Sequence, residues 1–543
     1  MPPLSASESI RADFIAGLKL RQKLFLALFA GILNWAIFPQ LGLSFLAWVC
    51  LVPLLLALYK ENSKRKAFLL GLITGLVFFF GTCHWISKVL RNYGDLSWLG
   101  AILLFLLLAV YLSLFYGLFA LSFSWLSTRC SMGPILVSPL LWVSAEYLRG
   151  QLMTGFPWCL LGYALVDDIR LAQLATLTGV YGLSFVLMIV NTALAVVFLT
   201  PSKTAMLRLA IVALGICVLT MFFALKGQVT GGLKHDVRIV QPNIDLGQKW
   251  DFESRANLLN ELSNLSLPRA VNQARDGDES VRLILWPETP APFYLNHDSD
   301  FRRRMQNVAA FSKRYFLFGF VDFRPSAGNG DQRDPYNSVG LISPGGEVIS
   351  QYDKIHLVPF GEYIPYANLF FFVDKISTEV GNFKPGDHVV VSPLENGHKL
   401  GAFVCYESVV PDLVRLFSKG GAGVLVNVTN DAWFGNSDAP FQHLNMARMR
   451  AIENHRYLLR AANNGISCVI DPYGRILRTV ERNQRAVLES SFEFYTVLTP
   501  YAQYGDIFAW ICLGISLWAI GSEMWKEWSR NRNRRGIQGI QVC

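Results

Sequence analysis

Residues 400–435 read LGAFVCYESVVPDLVRLFSKGGAGVLVNVTNDAWFG. Gly401 to Val404 is small, apolar and followed by a polar break, the pattern of a buried strand. Residues 410–418 suit a helix, with Pro411 tolerated in its first turn. Residues 423–428 form another short apolar run. Strand, helix and strand in succession make this part of a layered α/β domain. Cys405 falls where the first strand ends, crowded by Tyr406, Glu407 and Ser408. A cysteine at a strand-to-helix turn meets outward-pointing N–H groups and the positive end of a helix, and both favour a thiolate. The same position suits a small core hydrophobe, the usual role of a free cysteine. The stretch alone leaves both readings open.

Working outward, residues 226–505 are richer in charge, Pro and Gly than the rest of the chain, with short apolar runs between turns. Predicted strands are 237–241, 283–286, 316–321, 338–343, 389–392, 401–405, 423–428 and 466–470. Predicted helices are 251–266, 301–313, 410–418 and 442–461. Besides Cys405, two ionisable residues stand beside runs that should be buried. Glu288, in LILWPET, follows a strand; a carboxylate there is either a cap or, if desolvated, a general base. Lys354, in YDKIHLVPFGEYIP, precedes a mostly apolar segment. Together the three make chemical sense: the carboxylate takes the thiol proton, and the ammonium holds the oxyanion formed when the thiolate attacks a carbonyl. On residue types alone, His356 or His443 offers a Cys/His pair instead.

The remainder of the chain is a membrane protein's. Of 543 residues, 52% are hydrophobic and 16% charged, with mean hydropathy +0.33, too apolar for an ordinary soluble protein. Eight predicted spans follow: 24–39, 43–59, 67–85, 98–126, 134–147, 177–199, 206–225 and 507–522. All but 134–147 are long enough to cross a hydrocarbon core of about 30 Å. The first is read as an uncleaved helix, because a second apolar run follows with no small-residue cleavage site. With the N-terminus inside, basic residues mark every inside segment, including Lys60, Lys64, Arg65 and Lys66 and the tail after residue 522. The net charge of +9 is thereby explained by topology, and no nucleic-acid partner is expected. Three parts are expected: 1–225, a transmembrane domain of seven helices; 226–505, a catalytic domain on the far side of the membrane; and 506–543, an eighth span with a basic cytoplasmic tail. No CxxC pair occurs among the nine cysteines, so no metal site is expected.

Two rival classes start from the same features. A transporter would hold ionisable groups at mid-membrane, but the spans carry few: His84, and Glu146 with Arg149, read as an interfacial ion pair. The outside loop 149–170, with Phe156, Pro157, Trp158 and Leu160, either lines a lipid path or anchors at the interface. Apolar segments at 363–373 and 433–441 are expected to act as lids.

Several ordered motifs now coincide. WPET around Glu288, YDKIHLVPFGEYIP around Lys354, FVCYES around Cys405, NDAWFG at 430–435, the run 442–467 and IDPYGRI together resemble the nitrilase (carbon–nitrogen hydrolase) superfamily. The resemblance implies an αββα sandwich with a Glu288–Lys354–Cys405 triad, and demotes His356 and His443. Joined to eight spans, it is similar to the apolipoprotein N-acyltransferase family over nearly the whole chain. That likeness implies a thioester on Cys405 formed from a phospholipid acyl chain, then transfer to the α-amine of a diacylglyceryl-cysteine on an apolipoprotein. It also implies supporting roles for Glu362, Tyr406, Glu407 and Trp250, no cofactor, and a multi-pass protein of a bacterial inner membrane with its catalytic domain periplasmic. The enzymatic rival is a membrane-tethered amidase or nitrilase acting on a small soluble substrate; the intact triad opposes a purely binding domain.

Overall fold

The computed structural model describes residues 6–94, 96–127, 129, 133–225, 232–244, 255–267, 280–290, 294–326, 329–365 and 382–540. Trp250 and residues 366–373 of one expected lid lie outside them.

Five described helices are long and apolar enough to cross a membrane: Lys64–Cys83, Trp98–Leu126, Val180–Leu199, Lys203–Ala224 and Ile507–Arg532. The first two pack closely because Gly71 and Gly75 leave room. A Cβ at Gly71 would lie 2.3 Å from the Tyr116 carbonyl oxygen, and one at Gly75 2.9 Å from Ser113 Cα. The other three predicted spans take different forms. The run 24–39 lies largely in the 17-residue helix Leu20–Ala36. The run 43–59 is split into a 3-10 turn, Ser44–Trp48, and a short helix, Val52–Leu58, with Pro53 in its first turn, where its missing N–H costs no helical hydrogen bond. The run 134–147 lies in Gly133–Gln151, which buries Glu146 and Arg149. Among the described residues, length and composition by themselves therefore carry five of the eight expected spans.

The predicted span 177–199 begins only at Val180, because Gly179 breaks the backbone with φ 65°. A Cβ there would sit 2.5 Å from the Tyr501 ring. A helix preceding the last span is thus seated on the membrane domain.

The α/β region contains two six-stranded sheets. One runs β12-β1-β2-β3-β4-β5 and the other β11-β10-β9-β8-β7-β6. Their ranges are β1 His235–Gln241, β2 Arg282–Leu285, β3 Tyr315–Ser326, β4 Asn329–Ile342, β5 Val348–Asp353 and β6 Val391–Pro393. The rest are β7 Lys399–Val404, β8 Val424–Thr429, β9 Tyr457–Ala462, β10 Ser467–Ile470, β11 Ile476–Val480 and β12 Ala486–Phe492. Each sheet has a parallel centre, β1-β2-β3 or β7-β8-β9, with antiparallel strands outside it.

The two-residue period of a strand sorts side chains between layers. Leu283 and Leu285 of β2 face the core shared with β7 and β8. Ile284 and Trp286 face the opposite way, onto the helices Arg255–Ser266 and Ser299–Ser312. On the other sheet, Val414 and Phe417 of Pro411–Lys419 and Leu444, Ala447 and Ala451 of Ala439–Asn454 pack into the shared core. The layers are therefore helix, sheet, sheet, helix.

The expected helix 442–461 ends early. It stops at Asn454, His455 turns left-handed with φ 51°, and the chain re-enters the sheet as β9 between β8 and β10. Sheet pairing overrides helical propensity here. The unpredicted strands β5, β11 and β12 lack long apolar runs; β11 has four exposed residues of five.

Helix Ala439–Asn454 is apolar on two faces. Met446, Met449 and Ile452, with Tyr406 and Val409, belong to the same apolar core as the membrane helices. The catalytic layer and the membrane layer are thus packed together rather than tethered.

Candidate catalytic site

Glu288, Lys354 and Cys405 follow the C-terminal ends of β2, β5 and β7, so both sheets deliver residues to one end of the sandwich. All three are buried, at 7%, 1% and 7% exposure. Lys354 Nζ lies 2.9 Å from Glu362 Oε1 and 3.7 Å from Glu288 Oε1. Burial alone would push the lysine down. The carboxylates of Glu362 and Glu288, with the neighbouring Cys405, reverse this and hold it protonated well above the usual lysine range.

The amide of Asn337, on β4, donates to Glu288 Oε1 at 2.8 Å and to Glu362 Oε1 at 2.9 Å. Both partners only accept, so the amide orientation is fixed. Glu288 Oε2 accepts from the Asn430 N–H at 2.9 Å, and Glu362 Oε2 from the Val358 N–H at 2.8 Å.

Cys405 opens a 3-10 turn, Cys405–Val409, with φ 47°. The α-helix that the sequence suggested as an aid to the thiolate begins only at Pro411, so its N-terminus is not at the sulfur. Burial and the negative charge of Glu288 push the thiol up, and Lys354 offsets them only in part. Burial and that charge both favour the resting thiol over a preformed thiolate.

Glu407 is fully buried. Its Oε1 accepts from Tyr352 Oη at 2.7 Å and from the N–H groups of Ile355 and His356 at 2.8 and 3.1 Å; its Oε2 accepts from the Val404 N–H at 2.7 Å. It clamps the Lys354 segment to the strand that ends at Cys405. Tyr406 stacks on His356, ring centroids 5.8 Å apart, and on Trp158, 6.4 Å apart. Burial and Lys354 hold His356 down at about 4, so it is neutral near pH 7 and offers no imidazolium to Cys405. His443 contacts the Cys405 carbonyl oxygen, at 3.1 Å from Nε2.

Loop 149–170 is neither a surface anchor nor an open path at Trp158, which is fully buried. Trp158 Nε1 donates to Gln442 Oε1 at 2.6 Å, and Gln442 Nε2 donates to the Thr82 carbonyl at 3.1 Å. Glu146 and Arg149 serve this loop instead of pairing directly: Arg149 Nη1 donates to the carbonyls of Phe156 and Trp158, and Glu146 accepts from the Leu161 N–H. In the segment 433–441, Phe434 is wedged against Trp85 at 4.9 Å and Trp433 against Tyr93 at 4.8 Å. The exposed large apolar side chains there are Trp433 and Phe441.

Sequence reasoning missed Asn337, Asn430 and the network beneath Cys405. Asn337 lies in DPYNS, just before the predicted strand 338–343; only the fold brings it between two glutamates.

Residues 30–193 match the family described as apolipoprotein N-acyltransferase N-terminal domain, and residues 236–494 match carbon-nitrogen hydrolase. Apolipoprotein N-acyltransferase of Geobacter metallireducens is 37% identical over 504 residues, 91% of this chain and 94% of that one. Its counterpart in Methylococcus capsulatus is 33% identical over 527 residues, 95% and 98% of the two chains. The Rickettsia prowazekii relative is 30% identical over 498 residues, 89% and 94%.

Proposed function

Because the chain belongs to the apolipoprotein N-acyltransferase family, we propose that it transfers a fatty acyl group from a phospholipid, through a thioester on Cys405, to the N-terminal amine of a diacylglyceryl-cysteine. The observation that carries this reading is the seating of the turn that Cys405 opens on the membrane helices, with Tyr406 and Val409 in their apolar core. A soluble substrate would need no such seat.

In the proposed scheme, Glu288 takes the Cys405 proton as the sulfur attacks the phospholipid ester carbonyl. General-base assistance is what a raised thiol requires. Lys354 and the N–H of Tyr406 stabilise the oxyanion. The ester C–O bond breaks, and the lysophospholipid leaves with the proton that Glu288 took. The apolipoprotein amine then attacks the thioester, Glu288 takes its proton, the C–S bond breaks and the amide forms. The thiol is restored. Glu362 steadies Lys354. Tyr406 and Glu407 hold the turn, and Trp250 is assigned to the substrate-facing side by resemblance. Apolar walls keep water from the thioester, which otherwise hydrolyses.

The same reading assigns residues 1–225 and 506–543 to the membrane and 226–505 to catalysis. It puts eight segments in the bilayer of a bacterial inner membrane, with catalysis on the periplasmic side. The biased Lys and Arg distribution supports that orientation.

The test is to incubate the purified protein with phosphatidylethanolamine and weigh it. An acyl adduct absent in Cys405→Ala, and discharged by a diacylated lipopeptide, is expected. Absence of the adduct, with ammonia released from a small amide, overturns the reading in favour of a tethered amidase.

A further inference from the structure

Beneath the Cys405 turn lies a buried network that the proposed scheme does not use. His443 Nε2 lies 2.6 Å from Ser408 Oγ and 3.1 Å from the Cys405 carbonyl oxygen. On its other side, His443 Nδ1 lies 3.1 Å from Asp431 Oδ1 and 3.0 Å from Arg460 Nη2. Arg460 Nη2 reaches both oxygens of Asp431, at 2.9 and 3.1 Å, and Thr429 Oγ1 donates to the same carboxylate at 3.1 Å. Ser408, His443 and Arg460 are wholly buried and Asp431 is 1% exposed.

Ser408, His443 and Asp431 have the outline of a serine-hydrolase triad. The hydrogen-bond accounting gives them another role. The Cys405 carbonyl can only accept, so Nε2 carries the proton. Arg460 can only donate, so Nδ1 accepts from it, and Asp431 is satisfied by Arg460 and Thr429. With that proton in place Nε2 has no free lone pair with which to activate Ser408, and Arg460 Nη2 donates to both Nδ1 and the Asp431 carboxylate beside it. Burial and the Arg460 charge also hold the ring below the usual histidine range.

The network has two ends. At one end, the His443 N–H holds the carbonyl of the residue with φ 47°, the nucleophile itself. At the other, Asp431 follows Asn430, whose N–H is hydrogen-bonded to Glu288 Oε2 at 2.9 Å. We infer that His443 is a positioning residue: by joining the Cys405 turn to the 429–431 loop, it fixes the nucleophile relative to the carboxylate of Glu288. The catalytic roles of those two groups rest on the function proposed above; the coupling between them does not.

The coupling is measured on the full-length protein without lipid, as the rate of Cys405 alkylation by iodoacetamide, followed by peptide mass mapping. Removing the Glu288 charge by Glu288→Gln should speed alkylation in the wild-type background, because that charge opposes the thiolate. In a His443→Leu background the same substitution should lose most of its effect, and His443→Gln, which keeps an N–H donor, should restore it. A general loss of stability would not alter this double-mutant coupling in folded protein. Where His443→Leu does not accumulate, His443→Asn, whose amide is too short to reach the carbonyl, takes its place. An undiminished Glu288→Gln effect in that background overturns the inference. So does no effect in the wild type, or no restoration by Gln. Acyl-adduct formation from phosphatidylethanolamine on the same samples reports separately on the transferase reading: the loss of both the coupling and at least about tenfold in acylation rate is expected in His443→Leu, as for a displaced nucleophile.

Discussion

Lys354 Nζ lies 2.9 Å from Glu362 Oε1, closer than to the proposed base. Glu362 is therefore the nearer ion-pair partner, while the charge of Glu288 also acts on the Cys405 thiol. Glu362→Ala should leave a buried ammonium that draws Glu288 away from Cys405. The expected result is a fall of about a hundredfold in thioester formation, the scale of a misplacement by about 1 Å. Glu362→Gln, which still accepts, should lose less. Intact-mass burst kinetics distinguish the two.

The acidity of Cys405 gives a test whose sign is not intuitive. Burial and Glu288 raise the thiol, and Lys354 lowers it. Alkylation of Cys405 should still be rising with pH above about 8.5, where an ordinary cysteine levels off. Lys354→Met should slow alkylation at a given pH, whereas Glu288→Gln should hasten it. Both variants should nonetheless lose acyl transfer. A Glu288→Gln protein with slower alkylation would contradict the electrostatic account.

Asn337 donates to two carboxylates at once. Asn337→Leu, of similar size, leaves both under-satisfied. Asn337→Asp adds a third carboxylate beside them and forces a proton to be shared. Asp is expected to be the more damaging substitution in kcat, with the pH profile shifted upward because Glu288 then holds its proton more tightly. Steady-state rates between pH 6 and 9 decide the order.

Glu407 has four donors and no spare acceptor surface. Glu407→Gln turns an NH2 toward one of them and leaves a buried N–H unsatisfied, at a cost of about 1–3 kcal/mol. The loss should appear as a lower melting temperature in detergent, together with lower activity, because the Lys354 segment loses its clamp. Activity lost with no change in melting would point to direct contact with substrate instead.

Trp158 fills the seam between the membrane helices and the Cys405 turn. Trp158→Ala should cost about 3–5 kcal/mol, as large aromatic deletions in a core do. Trp158→Phe should keep the stack on Tyr406 yet leave Gln442 Oε1 without its donor. Thermal unfolding of the two variants tests whether this seam is structural.

Much of the molecule was legible from residue order. Short apolar runs at Leu283 to Leu285 and Gly401 to Val404 are strands because a buried strand can be apolar on both faces. Glu288 and Cys405 could be picked out because each follows such a run, and Lys354 because it precedes a mostly apolar segment. Less was legible where tertiary contacts override local pattern. Residues 457–461 continue a helical pattern, yet they form β9 because a strand was needed between β8 and β10. The run 43–59 is apolar throughout, yet breaks before Pro53.

The sequence by itself determined the composition of the two halves, the layered α/β class of residues 226–505 and the three candidate catalytic side chains, because hydrophobic periodicity and residue chemistry are local properties. Only the tertiary structure decided what those side chains touch. It set Asn337 between two glutamates, put Glu362 closer than Glu288 to Lys354, and placed His443 under the carbonyl of Cys405. Such contacts join segments far apart in the chain, so no local pattern records them; they exist only once the sheets have stacked and the helix Ala439–Asn454 has been pressed against the membrane helices.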